Sequence, residues 1–180
     1  MYRLAIFLFG LLVATAHADQ RDPRLNDLFA RLGAAPDVAT AETVEAQIWA
    51  VWSEAPDPAS TALLAAGTAA MGQRAWPRAL QLFDVLVASQ PQFAEAWNKR
   101  ATLLYLMGEH ARSVADIQKT LALEPRHFGA LSGLGLIFMA TGDPDAALRS
   151  FEAVLAIYPL SRSARQQVET LRQQVEGEPL

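Results

Sequence analysis

Few residues of this 180-residue chain have the type and spacing to do chemistry: His110 and His127, the basic pair Lys99-Arg100, and scattered acids that include Asp116. A zinc site wants three or four converging ligands. Neither histidine has a second ligand at helical spacing, since His110 falls in a turn and His127 between two helices. The chain has no cysteine, which removes thiol chemistry and disulfides together. It also lacks a Gly-rich phosphate loop, an HExxH pair and a nucleophile elbow. Asp116 has no second carboxylate placed for acid–base work. Glu95 stands four residues before Lys99, the spacing of an ion pair on a solvated helix face, and Glu124 with Arg126 reads the same way. These residues predict no enzyme, no metal and no cofactor.

The elements that position them begin with an exported-protein pattern. Arg3 precedes an apolar run from Leu4 to Ala14 and the small-residue site Ala16-His17-Ala18. That run is shorter than the roughly 20 residues a membrane span needs, so residues 1–18 read as a signal peptide cleaved after Ala18, with a retained N-terminal anchor as the alternative. The expected location is periplasmic or secreted, with no stable membrane span in the mature form. Removing Arg3 with the leader makes the formal charge of −4 one unit more negative. An acidic chain without clustered Lys and Arg is a poor match for nucleic acid.

The rest of the chain is organised by a period of 34 residues. Pro91, Pro125 and Pro159 are 34 apart, as are Gly108 and Gly142. A fixed period of this length indicates stacked helical hairpins. Three units occupy residues 60–93, 94–127 and 128–161, preceded by a degenerate hairpin over 19–59 and followed by a capping helix and tail over 162–180. Within each unit, small residues recur where two helices must approach: Gly67, Ala101 and Gly135 on first helices, and Ala79, Ser113 and Ala147 on second helices. In the first unit Gly72 stands two residues earlier than the turn glycines Gly108 and Gly142, so a turn of different shape is expected there. Asp143-Pro144 reads as an N-cap and first helical position. The last helix carries one narrow stripe, Val168, Leu171 and Val175, as the open end of a stack requires. The fold class is all-α, an α-solenoid of stacked antiparallel helix pairs with a C-terminal capping helix.

The third unit carries Leu131, Leu134-Gly135, Phe138, Ala147, Phe151 and Pro159; the second keeps Trp97 and Pro125; the first has Leu63, Gly67, Ala79, Phe83 and Pro91. This pattern resembles the tetratricopeptide repeat. The resemblance implies a superhelix that binds protein or peptide segments on the concave surface of its first helices. The corresponding positions are Thr61, Leu64, Thr68 and Met71; Glu95, Asn98, Thr102 and Tyr105; and Gly129, Ser132, Leu136 and Met139. The expected groove is Asn98, Lys99, Thr102, Tyr105, Ser132, Leu136 and Met139, although Met71, Leu136 and Met139 would equally suit core positions. Chaperone-binding members of the family hold a peptide's carboxylates with five polar residues. Here those positions are Leu64, Thr68, Lys99, Gly129 and Gly133, so only one cation remains and the clamp is absent. The resemblance thus implies a non-enzymatic binding module of the bacterial envelope. The competing expectation is a structural subunit that assembles through its edges or end helices.

Overall fold

The structure, a computed structural model, describes residues 20–177, so the expected leader and the last three residues lie outside it. The described residues form nine helices and no strand. Three hairpins make the stack: α3 (Pro58–Gly72) with α4 (Trp76–Ser89), α5 (Ala94–Leu106) with α6 (His110–Leu123), and α7 (Phe128–Thr141) with α8 (Pro144–Ile157). Asp57 caps α3 by accepting the Ser60 N–H at 2.8 Å, and Asp143 caps α8 through Ala146 at 2.9 Å. Each is followed by a proline whose missing N–H costs nothing at the first helical position.

Small residues set the spacing within hairpins. A Cβ on Gly67 would lie 2.5 Å from Phe83 Cε1, and one on Gly135 would lie 2.7 Å from Phe151 Cε2. Ser113 instead donates its hydroxyl to the Ala101 carbonyl at 2.7 Å, stitching α5 to α6 through the same close approach. Because Phe151 is itself 3 % exposed and cannot swing away, Gly135→Leu is expected to destabilise by about 1–3 kcal/mol. An unchanged thermal melt would show that α7 and α8 do not touch at this residue.

The first turn departs from expectation. Gly72 remains helical, and the left-handed residue is Arg74 at φ 58°, 34 positions before Gly108 and 68 before Gly142, both at φ 78°. All three turns close identically, with the next N–H reaching a carbonyl five residues back: Ala75 to Ala70, Glu109 to Leu104 and Asp143 to Phe138, each at 2.9 Å. The period therefore holds in backbone shape where it fails in residue type. A side chain at this φ is strained, so Arg74→Gly should raise stability by about 0.5–1 kcal/mol after the extra unfolded-state freedom of glycine is counted. A rise in melting temperature checks it; a fall would mean that the Arg74 side chain contributes more than its backbone costs.

α9 (Arg162–Gly177) packs on α8 through Ala164, Val168 and Leu171 and leaves Arg165, Gln166 and Glu169 exposed. The N-terminal pair, α1 (Arg24–Gly33) and α2 (Val38–Trp52), is the element whose seat the 34-residue count does not give. It does not form its main core with the neighbouring α3 and α4. Leu25, Leu28, Leu32, Val44, Ile48 and Trp52 join one core with Phe128, Phe151, Val154 and Tyr158 of the third unit and with α9. A separate core holds Leu64, Phe83, Leu86 and Phe93 of the first units. The pair thus reaches across the stack. Gln20 binds the Gln92 carbonyl and the Ala94 N–H at the start of α5, Asn26 meets Arg126 at 3.2 Å, and Glu42 meets Arg162 at 3.5 Å.

Candidate functional site

The first helices of neighbouring units, α5 and α7, leave a cleft of about 160 Å³ between them, and it gathers five of the expected groove residues: Asn98, Thr102, Tyr105, Ser132 and Leu136. The Thr102 hydroxyl donates to the Asn98 carbonyl at 2.9 Å, and Ser132 donates to Phe128 at 2.9 Å. Both protons are engaged on the residues' own helices, so what each hydroxyl offers a ligand is acceptor capacity. Tyr105 is half-buried with its ring 5.7 Å from His110. Leu136 is 37 % exposed, an apolar side chain open to solvent rather than core.

Two expected residues lie elsewhere. Met139, also 37 % exposed, borders a second depression with Gly142, Pro144 and Leu171 where α7 meets α9. Lys99 faces the first unit, beside Leu64 and Thr68. Met71 is half-buried against the core of the first units.

The charged pairs are not on solvated faces. Glu95 is 1 % exposed. Its Oε2 accepts from Asn98 Nδ2 at 2.8 Å and meets His127 Nε2 at 3.3 Å, while Oε1 faces the Lys99 ammonium at 3.1 Å. His127 is fully buried and caps α7, its Nδ1 accepting the Ala130 N–H at 3.1 Å. Since Nδ1 is the acceptor, the ring proton sits on Nε2 and points at Glu95. Burial pushes the Glu95 carboxyl up, but the hydrogen bond from His127, the Lys99 charge and the Asn98 amide outweigh it and hold the group below its ordinary value. Indole rings enclose the cluster: Trp52 stacks on His127 at 4.1 Å and 6°, and Lys99 lies 5.7 Å over Trp49.

Arg100 and Arg126 repeat the theme. Arg100 grips Asp116 with two bonds of 2.7 and 2.8 Å, reaches Asp84 at 2.8 Å, and lies 4.9 Å over Trp97. The Asp116 carboxylate, followed by Asp84, holds the guanidinium above its ordinary range despite partial burial. Asp116, for which the sequence offers no acid–base partner, is the anchor that ties α5 to α6. Arg126 holds the buried Glu124 at 2.9 Å and covers the Phe29 ring at 4.2 Å. Arg100 to Asp116 and Glu95 to His127 join elements, Arg126 reaches α1 at Asn26 and Phe29, and none leaves a nucleophile or a free acid facing the cleft. Among the described residues, no group of three or more His, Asp or Glu converges as a metal ion requires.

Trp49, which the 34-residue count puts at a recurring aromatic position, is absent from the expected groove. A Cβ on Gly129, which lines the cleft, would lie 2.5 Å from Trp49 Cη2, so the indole rests on bare backbone at that point. The available signal was Trp49 beside Ile48 and Trp52 on the 15-residue α2, an apolar face wider than the 10-residue α1 can cover.

With this geometry in view, the comparisons agree. The sequence matches the tetratricopeptide repeat family over residues 64–119 and again over 99–162, together more than half of the chain. It is 36 % identical to a TPR repeat-containing protein of Rhizobium etli, over 86 % of this chain and 76 % of that protein. Other curated relatives are longer proteins, of which the chain spans about a third or less. Among solved structures, the Sgt2 TPR domain from Aspergillus fumigatus superposes with a TM-score of 0.63 at 23 % identity, covering 69 % of this chain and 87 % of that one. The first TPR of Spaghetti (RPAP3) bound to an HSP90 peptide gives 0.62 at 19 %, covering 65 % and 93 %. The 34-residue period, the three hairpins closed by left-handed turns and the match over both overlapping spans establish that this chain belongs to the tetratricopeptide repeat family.

Proposed function

We propose that this protein is a non-enzymatic module of the bacterial envelope that holds a protein or peptide segment in the cleft between α5 and α7. The observation that carries the reading is the cleft itself: a concavity at the surface, floored by apolar residues, with a few convergent polar groups and an exposed leucine. The fold is shared with a domain seen with a peptide bound, which supports the same use of the concave side. Export rests on the leader pattern at residues 1–18; N-terminal sequencing of the exported protein should read Asp19 first, and an intact Met1 in the membrane fraction would exclude cleavage. No helix among the described residues is long and apolar enough to cross a membrane.

The test of binding is selection from a random-peptide library on the purified chain from Asp19. Tyr105→Ala should cost a selected peptide about 2 kcal/mol, since aromatic anchors dominate interface energies. Leu136→Asp should abolish binding, whereas Gln118→Ala on the exposed face of α6 should leave it unchanged. Equal affinities across all three variants would remove the cleft from the account. The second reading, assembly through edges, is favoured by Leu106 at 49 % and Val85 at 54 % exposure, outside the cleft. Light scattering that shows a fixed-ratio assembly lost on Leu106→Ser or Val85→Ser would establish it instead.

A further inference from the structure

A residue from outside the repeats lies against Gly129, one of the residues that line the cleft between α5 and α7. At Gly129 the Trp49 indole lies against the α7 backbone. It is held there by Trp52 at 5.2 Å, Phe128 at 5.5 Å and His127 at 5.5 Å, and its Nε1 donates to Glu45 at 3.3 Å. Glu95 and Lys99, paired with each other, adjoin the cleft only through Asn98, whose amide donates to Glu95 at 2.8 Å. No charged side chain lines the cleft. Midway along it, a Cβ on Gly133 would meet only Ile117 Cδ1, at an ordinary 3.5 Å, so the space there is real and not taken by a neighbour. Tyr105 and the exposed Leu136 stand at the end remote from Trp49, Leu136 about two helical turns from Gly129.

We propose that Trp49 determines what the cleft accepts: one apolar side chain, of leucine, methionine or phenylalanine size, from an uncharged peptide segment entering beside Tyr105 and Leu136. This rests on the reading that the cleft binds peptides. The size follows from the volume. A cavity of about 150 Å³ with apolar walls holds a benzene-sized group, and the cleft measures about 160 Å³. The charge class follows from the lining: a carboxylate or ammonium placed there would lose its hydration and find no opposite charge. Neighbouring backbone of the ligand can donate to the Thr102 and Ser132 oxygens, whose own protons are engaged elsewhere. The N-terminal hairpin thereby bounds the binding site where Trp49 rests on Gly129.

The experiment selects displayed random peptides on four proteins: wild type, Trp49→Ala, Gly133→Ala and Leu136→Asp. Wild type should enrich sequences with a single Leu, Ile, Met or Phe flanked by uncharged residues. Gly133→Ala should raise the melting temperature, because alanine is the better helix former, yet weaken wild-type peptides by about tenfold or more, the effect of one methyl group in a filled apolar pocket. Trp49→Ala should shift the selected anchor to tryptophan, which can fill the space the indole leaves beside Gly129. If Trp49→Ala does not fold by circular dichroism, Trp49→Phe is used, and the same move toward larger anchors is expected because phenylalanine lacks the ring atoms that lie on Gly129. An unchanged consensus in the folded Trp49 variant overturns the proposal while leaving the cleft as the site. A consensus dominated by acidic or C-terminal carboxylate peptides overturns the ligand class. Absence of enrichment on wild type, or binding indifferent to both Gly133→Ala and Leu136→Asp, overturns the groove reading itself.

Discussion

Glu95→Ala is expected to lower the unfolding free energy by about 3–5 kcal/mol, the cost of breaking one half of a buried charged pair. The side chain is 1 % exposed and collects three partners from two helices: Asn98 and Lys99 of α5, and His127 at the start of α7. Alanine would leave the buried Asn98 amide and the His127 Nε2–H without an acceptor and Lys99 without its counter-charge. Urea denaturation at pH 7 checks this through a lower midpoint at an unchanged slope. A loss below about 1 kcal/mol would mean that the pair behaves as a surface salt bridge.

A pH dependence accompanies it. The folded carboxyl is held below its ordinary value of 4.5, so its contribution is fully present above that value and is lost as pH falls through the lower, folded pKa. Wild type should therefore lose stability on acidification below about pH 4.5. Glu95→Gln, which cannot titrate, should show a shallower acid limb over the same range. Parallel limbs for the two proteins would show that other carboxylates govern acid unfolding.

Trp52→Ala carries the second large effect, about 3–5 kcal/mol for truncating a buried aromatic. The ring is 1 % exposed and touches Phe29 at 5.8 Å, Trp49 at 5.2 Å, Phe128 at 5.0 Å and His127 at 4.1 Å. Its N–H finds no acceptor in the core, so what is lost is packing rather than a hydrogen bond. Because α1 and α2 share their core with α7 to α9, the damage should be unevenly spread. Hydrogen exchange should accelerate in α1, α2 and the start of α7 before it does in α4, whose core is separate. Uniform acceleration along the chain would mean that the hairpin and the stack unfold as one unit.

What the sequence determined is local or periodic. Asp143 and Pro144 cap and start α8 because capping needs only residues within one turn. Gly67 and Gly135 mark close approaches because a missing Cβ must recur wherever two helices repeat the same contact. The 34-residue interval gives three hairpins, and even where it lost its glycine it still placed the left-handed residue, at Arg74. Tertiary structure alone decided the rest. The stripe on α1 and α2 says that a face is buried but not against what, since apolar attraction is non-directional; only the folded chain sends Trp52 to His127 and Trp49 to Gly129. Spacing likewise shows that Glu95 and Lys99 can pair, but burial depends on what folds over them, and that is a hairpin more than 40 residues earlier in sequence. The division between five groove residues in one cleft and two outside it has the same cause: helical position fixes the face a side chain occupies, while the elements that cover that face come from elsewhere in the chain.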